Sequence, residues 1–82
     1  MRLDYSPRFL RSYAKANAEI RNAFNKQARL LKDNILHPSL HAKKYDEAND
    51  IWQARVNGGG WRFYFCIEGD IYYILDITRH PK

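Results

Sequence analysis

The chain has a single cysteine, Cys66, among 82 residues, so it cannot close a disulfide on itself. Small secreted domains ordinarily carry paired cysteines, and a lone thiol inside an aromatic run reads as a buried, unreactive side chain. The expected setting is therefore a reducing cytoplasm. Zinc sites built on cysteine pairs are excluded for the same reason. No apolar run approaches the roughly 20 residues of a membrane span. The opening Met1-Arg2-Leu3-Asp4-Tyr5 lacks the apolar stretch of a secretory signal, so neither a signal peptide nor a membrane partner is expected. Repeats, linkers and low-complexity tracts are also missing, which predicts one domain over residues 1–82. Acidic residues are the minority charge, nine against fourteen Lys and Arg.

What is present is aromatic and basic. Two Trp, six Tyr and four Phe give a short chain a dense core and exclude a disordered tail. The net charge is +5, and the excess is uneven: residues 1–32 hold eight basic side chains against Asp4 and Glu19. A polyanionic or acidic partner fits that imbalance, as does a merely solvated helix surface.

Arg2 to Tyr5 alternates polar and apolar and predicts a short strand. Ser6-Pro7 marks a helix start, with Ser as cap and Pro at the first helical position. Phe9, Leu10, Tyr13 and Ala14 form one apolar face of that helix. The pattern breaks at Ala16-Asn17-Ala18. A second amphipathic helix is predicted from about Glu19 to Asp33, and Asn34 to Asp50 reads as a loop. Three strands follow, Ile51–Val56, Trp61–Glu68 and Ile71–Thr78. They are joined by Asn57-Gly58-Gly59-Gly60 and by Gly69-Asp70. The predicted class is α+β: an N-terminal strand and a two-helix hairpin packed on one face of a mainly antiparallel sheet, in the order β-α-α-β-β-β.

Loop lengths set the register. The two-residue turn at 69–70 pairs residues whose numbers sum to 139, and the four-residue loop at 57–60 pairs residues summing to 117. Trp52, Ala54, Val56, Trp61, Phe63, Phe65, Ile67, Tyr72 and Ile74 then share the core face. Gln53, Arg55, Arg62, Tyr64, Cys66, Tyr73, Leu75 and Arg79 share the other. Arg55 stands opposite Arg62. Like charges so placed repel, and folding alone would not select them, so solvent or an anion between them, or a loop Glu or Asp paired with each, is expected. Guanidinium forks match phosphate oxygens.

Leu3-Asp4-Tyr5-Ser6-Pro7-Arg8-Phe9, His37-Pro38-Ser39-Leu40 and Trp61-Arg62-Phe63-Tyr64-Phe65, in this order of elements, resemble the RelE/ParE superfamily of bacterial and archaeal toxins over nearly the whole chain. The resemblance implies the RelE-like microbial RNase fold and the toxin of a type II toxin–antitoxin module. Its partners would be a cognate antitoxin, messenger RNA and the ribosome, and no cofactor is implied. Members of the RelE branch cut messenger RNA, generally in the ribosomal decoding site. Those of the ParE branch poison DNA gyrase. Aligned without gaps through residues 53–62, RelE has lysines at Gln53 and Arg55 and an arginine at Arg62. A further catalytic arginine falls at Lys82, and the catalytic tyrosine falls beyond it. In YoeB an arginine and a histidine are spaced as Arg62 and His80 are, but the tyrosine that follows is here Pro81.

Cleavage without a metal uses the RNA 2′-hydroxyl as nucleophile and needs a base, an acid and cations for the phosphorane charge. The expected catalytic residues are Arg62 and Arg55 as the clamp and His80 as acid or base. Asp46 and Glu47 are further candidate bases. Lys43, Lys44, Gln53, Tyr64, Arg79 and Lys82 are the expected RNA contacts. Strict alternation would put His80 on the face away from Arg62. His37 and His41 stand four apart, but the intervening Pro38 disfavours a helical metal pair. Two other functions stay open: a gyrase poison without catalysis, and a degenerate member, favoured by Pro81, that only binds its antitoxin or nucleic acid. The antitoxin is expected to be an acidic amphipathic segment covering Leu75 and Tyr73 or the helix grooves.

Overall fold

Ser6 and Pro7 start the first helix as their chemistry dictates. Ser6 has extended backbone and its hydroxyl accepts the Phe9 N–H at 2.9 Å. Pro7, at the first helical position, has no N–H to leave unpaired. The computed structural model describes residues 1–79. They form β1 (Arg2–Tyr5), α1 (Pro7–Lys15), α2 (Ala18–Asp33), a 3₁₀ turn (Pro38–Leu40), β2 (Lys43–Asp46), β3 (Ile51–Arg55), β4 (Trp61–Glu68) and β5 (Ile71–Arg79). Asn17 separates the helices and caps α2, accepting from the Ile20 N–H at 2.9 Å. Among the described residues no helix is long and apolar enough to cross a membrane.

The α+β class and element order agree with the sequence reading, with one strand more. Part of the segment expected as loop folds into β2, giving a five-stranded sheet in the order β1-β5-β4-β3-β2. β1 lies parallel to β5, and the other neighbours are antiparallel.

The helices cover one face of this sheet. Ala54, Phe63, Phe65 and Ile74 are fully buried against Phe9, Ile20, Phe24 and Leu31. Phe24 bridges the layers, its ring 4.9 Å from Phe9 and 5.1 Å from Phe63, edge-on to the latter. Burying each such ring stabilises the fold by about 1.5–3 kcal/mol. Trp52, Trp61 and Ile67 pack at the rim. Leu10, expected on the apolar face of α1, instead points to solvent.

The 57–60 loop sets the register as counted, Arg55 opposite Arg62 and Gln53 opposite Tyr64. Between β4 and β5 the count holds from Glu68–Ile71 to Phe65–Ile74 and then shifts by one residue. Leu75 is the extra residue, a β-bulge. A bulged residue leaves the ladder, so its carbonyl needs another partner. The Ser6 hydroxyl supplies it, donating to the Leu75 carbonyl at 2.6 Å, while the Ser6 N–H donates to the Ile74 carbonyl at 2.9 Å. Beyond the bulge the faces exchange. Ile77 enters the core opposite Phe63, and Asp76 and Thr78 come to the open face opposite Tyr64 and Arg62. Arg79, expected beside Arg62, pairs instead with Trp61 on the helix side.

Candidate active site

The candidate site lies on the open face of the sheet. Cross-strand pairing aligns Lys43, Gln53, Tyr64 and Asp76 in one row and Arg55, Arg62 and Thr78 in the next. His41, Ala42, Lys43, Gln53, Arg55 and Arg62 line a cavity of about 300 Å³. Its charged side chains are three cations, Lys43, Arg55 and Arg62, with no carboxylate among them. Among the described residues neither Arg55 nor Arg62 forms an ion pair. Such a cavity stabilises an anion, and one whose oxygens accept several N–H bonds fits guanidinium geometry best.

The backbone beneath is fixed from the core side. Gln27, on α2 and 6% exposed, donates its Nε2 to the Arg55 carbonyl at 2.9 Å and to the Ser39 carbonyl at 3.0 Å. One buried amide thus ties the end of β3 to the 3₁₀ turn. That turn ends at His41, whose backbone is left-handed with φ 47° and ψ 42°. A residue with a Cβ adopts this conformation at a cost of about 1 kcal/mol. Here it ends the turn and starts the chain toward β2, with His41 on the cavity wall. His41 is a site residue that the sequence reading missed, having weighed it only as a metal ligand. The signal was the short polar Lys43–Asp46 run, which becomes an edge strand and carries His41 to the site.

Of the expected site residues, the structure brings together Arg55, Arg62, Lys43 and Gln53. Tyr64 shares the row of Lys43 and Gln53 but does not line that cavity, and its ring is 4.9 Å from that of Tyr45. Lys44 does not join them. It pairs with Trp52 on the helix side, its ammonium 5.3 Å from that ring, and it bonds Asp50 and approaches Glu47 at 3.6 Å. The hydrogen bond that Lys44 donates to Asp50, with both carboxylates nearby, holds the Lys44 pKa above its ordinary value. Arg79 is likewise on the helix side, because the bulge moved it there. His80 and Lys82 lie outside the described residues. The objection to His80 assumed unbroken alternation along β5, and the bulge removes that premise.

Neither candidate carboxylate base lines the cavity. Asp46 folds into the β2–β3 turn, accepting from the Asn49 side chain at 2.8 Å and its N–H at 3.2 Å. These bonds lower its pKa and weaken it as a base. Glu47 faces Lys44. Cys66, on the open face but partly buried, has its thiol pKa raised, first by desolvation and then by the Glu68 carboxylate. That agrees with the unreactive thiol expected from sequence.

No family model matches the chain, and no curated protein matches it significantly. Solved structures match it throughout. The YoeB/ParE toxin from Agrobacterium tumefaciens superposes with a TM-score of 0.81 at 15% identity, covering 99% of this chain and 100% of that one. The YoeB dimer from Staphylococcus aureus gives 0.80 at 14% identity, covering 99% and 98%. The intact E. coli RelBE toxin–antitoxin complex gives 0.78 at 13% identity, again covering 99% and 98%. At these TM-scores and coverages, this chain has the fold of the RelE and YoeB toxins.

Proposed function

We propose that this chain is the toxin of a type II toxin–antitoxin module and that it stops translation by cutting messenger RNA on the ribosome. The observation that carries the reading is the cavity on the open face, where Arg55 and Arg62 stand opposite each other with Lys43 beside them and no carboxylate. The scissile phosphate binds between the two guanidiniums. A base takes the proton of the adjacent ribose 2′-hydroxyl, the 2′-oxygen attacks phosphorus, and the bond to the 5′-oxygen breaks as an acid protonates that oxygen. The products are a 2′,3′-cyclic phosphate and a 5′-hydroxyl. Arg55 and Arg62 hold the non-bridging oxygens as charge grows on them, the largest contribution such a site makes. Lys43 takes a neighbouring phosphate and Gln53 offers a neutral donor. Tyr64 is a platform for a base.

Proton transfer falls to an imidazole. His80 has that role by its spacing from Arg62, and His41 lines the cavity as the second imidazole. The cognate antitoxin neutralises the protein by covering the open face with an acidic segment, whose charge answers Arg55 and Arg62.

Purified protein incubated with ribosomes and messenger RNA tests the reading. Fragments ending in a cyclic phosphate are expected, and their absence with a folded protein overturns it. Intact messenger with inhibited gyrase would assign the protein to the other branch, which has no use for facing arginines. Replacing His80 by Ala is expected to slow cleavage by about 10²–10⁴. Unchanged cleavage in that variant and loss in His41→Ala would transfer the role to His41.

A further inference from the structure

Next to the cationic cavity, on the same face, lies a second cavity of about 400 Å³ with different walls. Tyr45, Ile51, Tyr64 and Leu75 make most of it apolar or aromatic, and Arg8 and Asp76 add an opposed pair of charges. The Tyr45 and Tyr64 rings meet at 59°, so they form a corner open to a flat molecule. Tyr64 is two residues along β4 from Arg62, about 7 Å by strand geometry. The two cavities therefore stand side by side on one sheet.

Asp76 is the unusual member. Its side chain is only 19% exposed. One oxygen, Oδ1, is pinned by the Ser12 hydroxyl at 2.7 Å and the Ile77 N–H at 2.8 Å. The other, Oδ2, has no hydrogen bond among the described residues, and its nearest cation is the Arg8 Nε at 4.0 Å. A largely buried carboxylate thus presents one fixed, open acceptor beside a donor, at the edge of an aromatic corner.

We propose that this second cavity is a nucleobase subsite that takes an amino-bearing base, cytosine, adenine or guanine, in preference to uracil. It rests on the reading of the open face as an RNA site. The base lies against Tyr64, a contact that any base can make. Its exocyclic amino group donates to Asp76 Oδ2, a pairing carboxylates use for direct readout, and its acceptors face Arg8. Uracil has no amino group, and its one edge N–H is flanked on both sides by carbonyl oxygens that a carboxylate repels. An apolar peptide side chain would fill the walls but leave Oδ2 buried without a donor, which is unfavourable.

The test is the binding of four 2′-O-methyl trinucleotides, one for each base, which cannot be cleaved. The wild-type protein is expected to bind the amino-bearing three roughly tenfold more tightly than the uracil one. In Asp76→Asn the amide oxygen keeps the two bonds of Oδ1 and the NH₂ replaces Oδ2, so the preference should vanish or reverse toward uracil. Arg62→Ala should weaken all four alike and leave the ratio unchanged. A thermal melt confirms the fold of each variant. If Asp76→Asn does not fold, Arg8→Ala, at a 76% exposed side chain, should still narrow the preference. Equal affinities in the wild type, no binding of any trinucleotide, or a ratio unmoved in both Asp76→Asn and Arg8→Ala would overturn the subsite. The preference is read without cleavage. A base preference in a protein that cuts no messenger would keep the subsite and refute the ribonuclease, and cleavage without a preference would do the reverse.

Discussion

The two faces of the sheet are built by alternate residues of the same strands, yet they obey different rules. Toward the helices Ala54, Phe63, Phe65 and Ile74 are fully buried, and among the described residues no buried side-chain nitrogen or oxygen lacks a partner. On the open face Arg55 stands opposite Arg62 with Lys43 nearby, and no acid compensates them in the cavity. Facing like charges destabilise a strand pair by a few tenths to about 1 kcal/mol. The helix face supplies several times that through each buried ring. Burial on one side is what lets the other hold a charge arrangement that folding would not choose. Stability and chemistry are therefore separable by strand parity, and substitution can test the separation.

The largest effect should come from the buried side. Phe63→Ala is expected to cost about 3–5 kcal/mol, much of the total for a domain of this size, with a correspondingly lower denaturation midpoint. A variant melting like the wild type would show that the faces are wrongly divided. Arg62→Ala should do the opposite, lowering messenger cleavage by about 10²–10³ while the melting temperature holds or rises slightly as the facing charges are relieved. Retained cleavage would move the phosphate site elsewhere. Ser6→Ala removes both the helix cap and the partner of the bulged carbonyl, and a loss of about 1–3 kcal/mol is expected in chemical denaturation. If the bulge serves the open face, cleavage by that variant should fall even where it is fully folded. Least affected is Lys44→Ala, whose ion pairs are exposed and on the helix side. Cleavage and melting should both stay near wild type, and a clear drop in cleavage would put Lys44 back among the RNA contacts.

How legible each part was in the sequence follows from what sets it. Arg55 opposite Arg62 was readable because a short glycine loop leaves little choice of register, and Gly60, with φ at 95°, has the positive angle only glycine adopts easily. The same counting failed past Ile74. A bulge at Leu75 carries no glycine or proline to announce it, and its stabilising partner, the Ser6 hydroxyl, lies 69 residues away in sequence. That one shift moved Arg79 off the site face and brought Asp76 onto it. β2 was missed for a different reason. Lys43 to Asp46 is short and polar, with the weak alternation of an edge strand, and only pairing with β3 makes it regular. Lys44 could not be separated from Lys43 until that pairing gave them opposite faces.

The parallel pairing of β1 with β5 also governs how the chain is made. Arg2 pairs with Ile71 and Leu3 with Tyr72, so β1 leaves the ribosome long before β5 and has no neighbour until β5 follows it. Contacts of such long sequence separation form late, because loop closure must precede them. Until β3 and β4 follow, α1 and α2 carry Phe9 and Phe24 with no sheet to cover them. A growing chain that stops before β4 is therefore a sticky helical hairpin rather than a small version of the finished protein. It also lacks the strand that brings Asp76 and Thr78 to the open face. Nascent chains should be clients of chaperones, and the open face is complete only when the sheet closes.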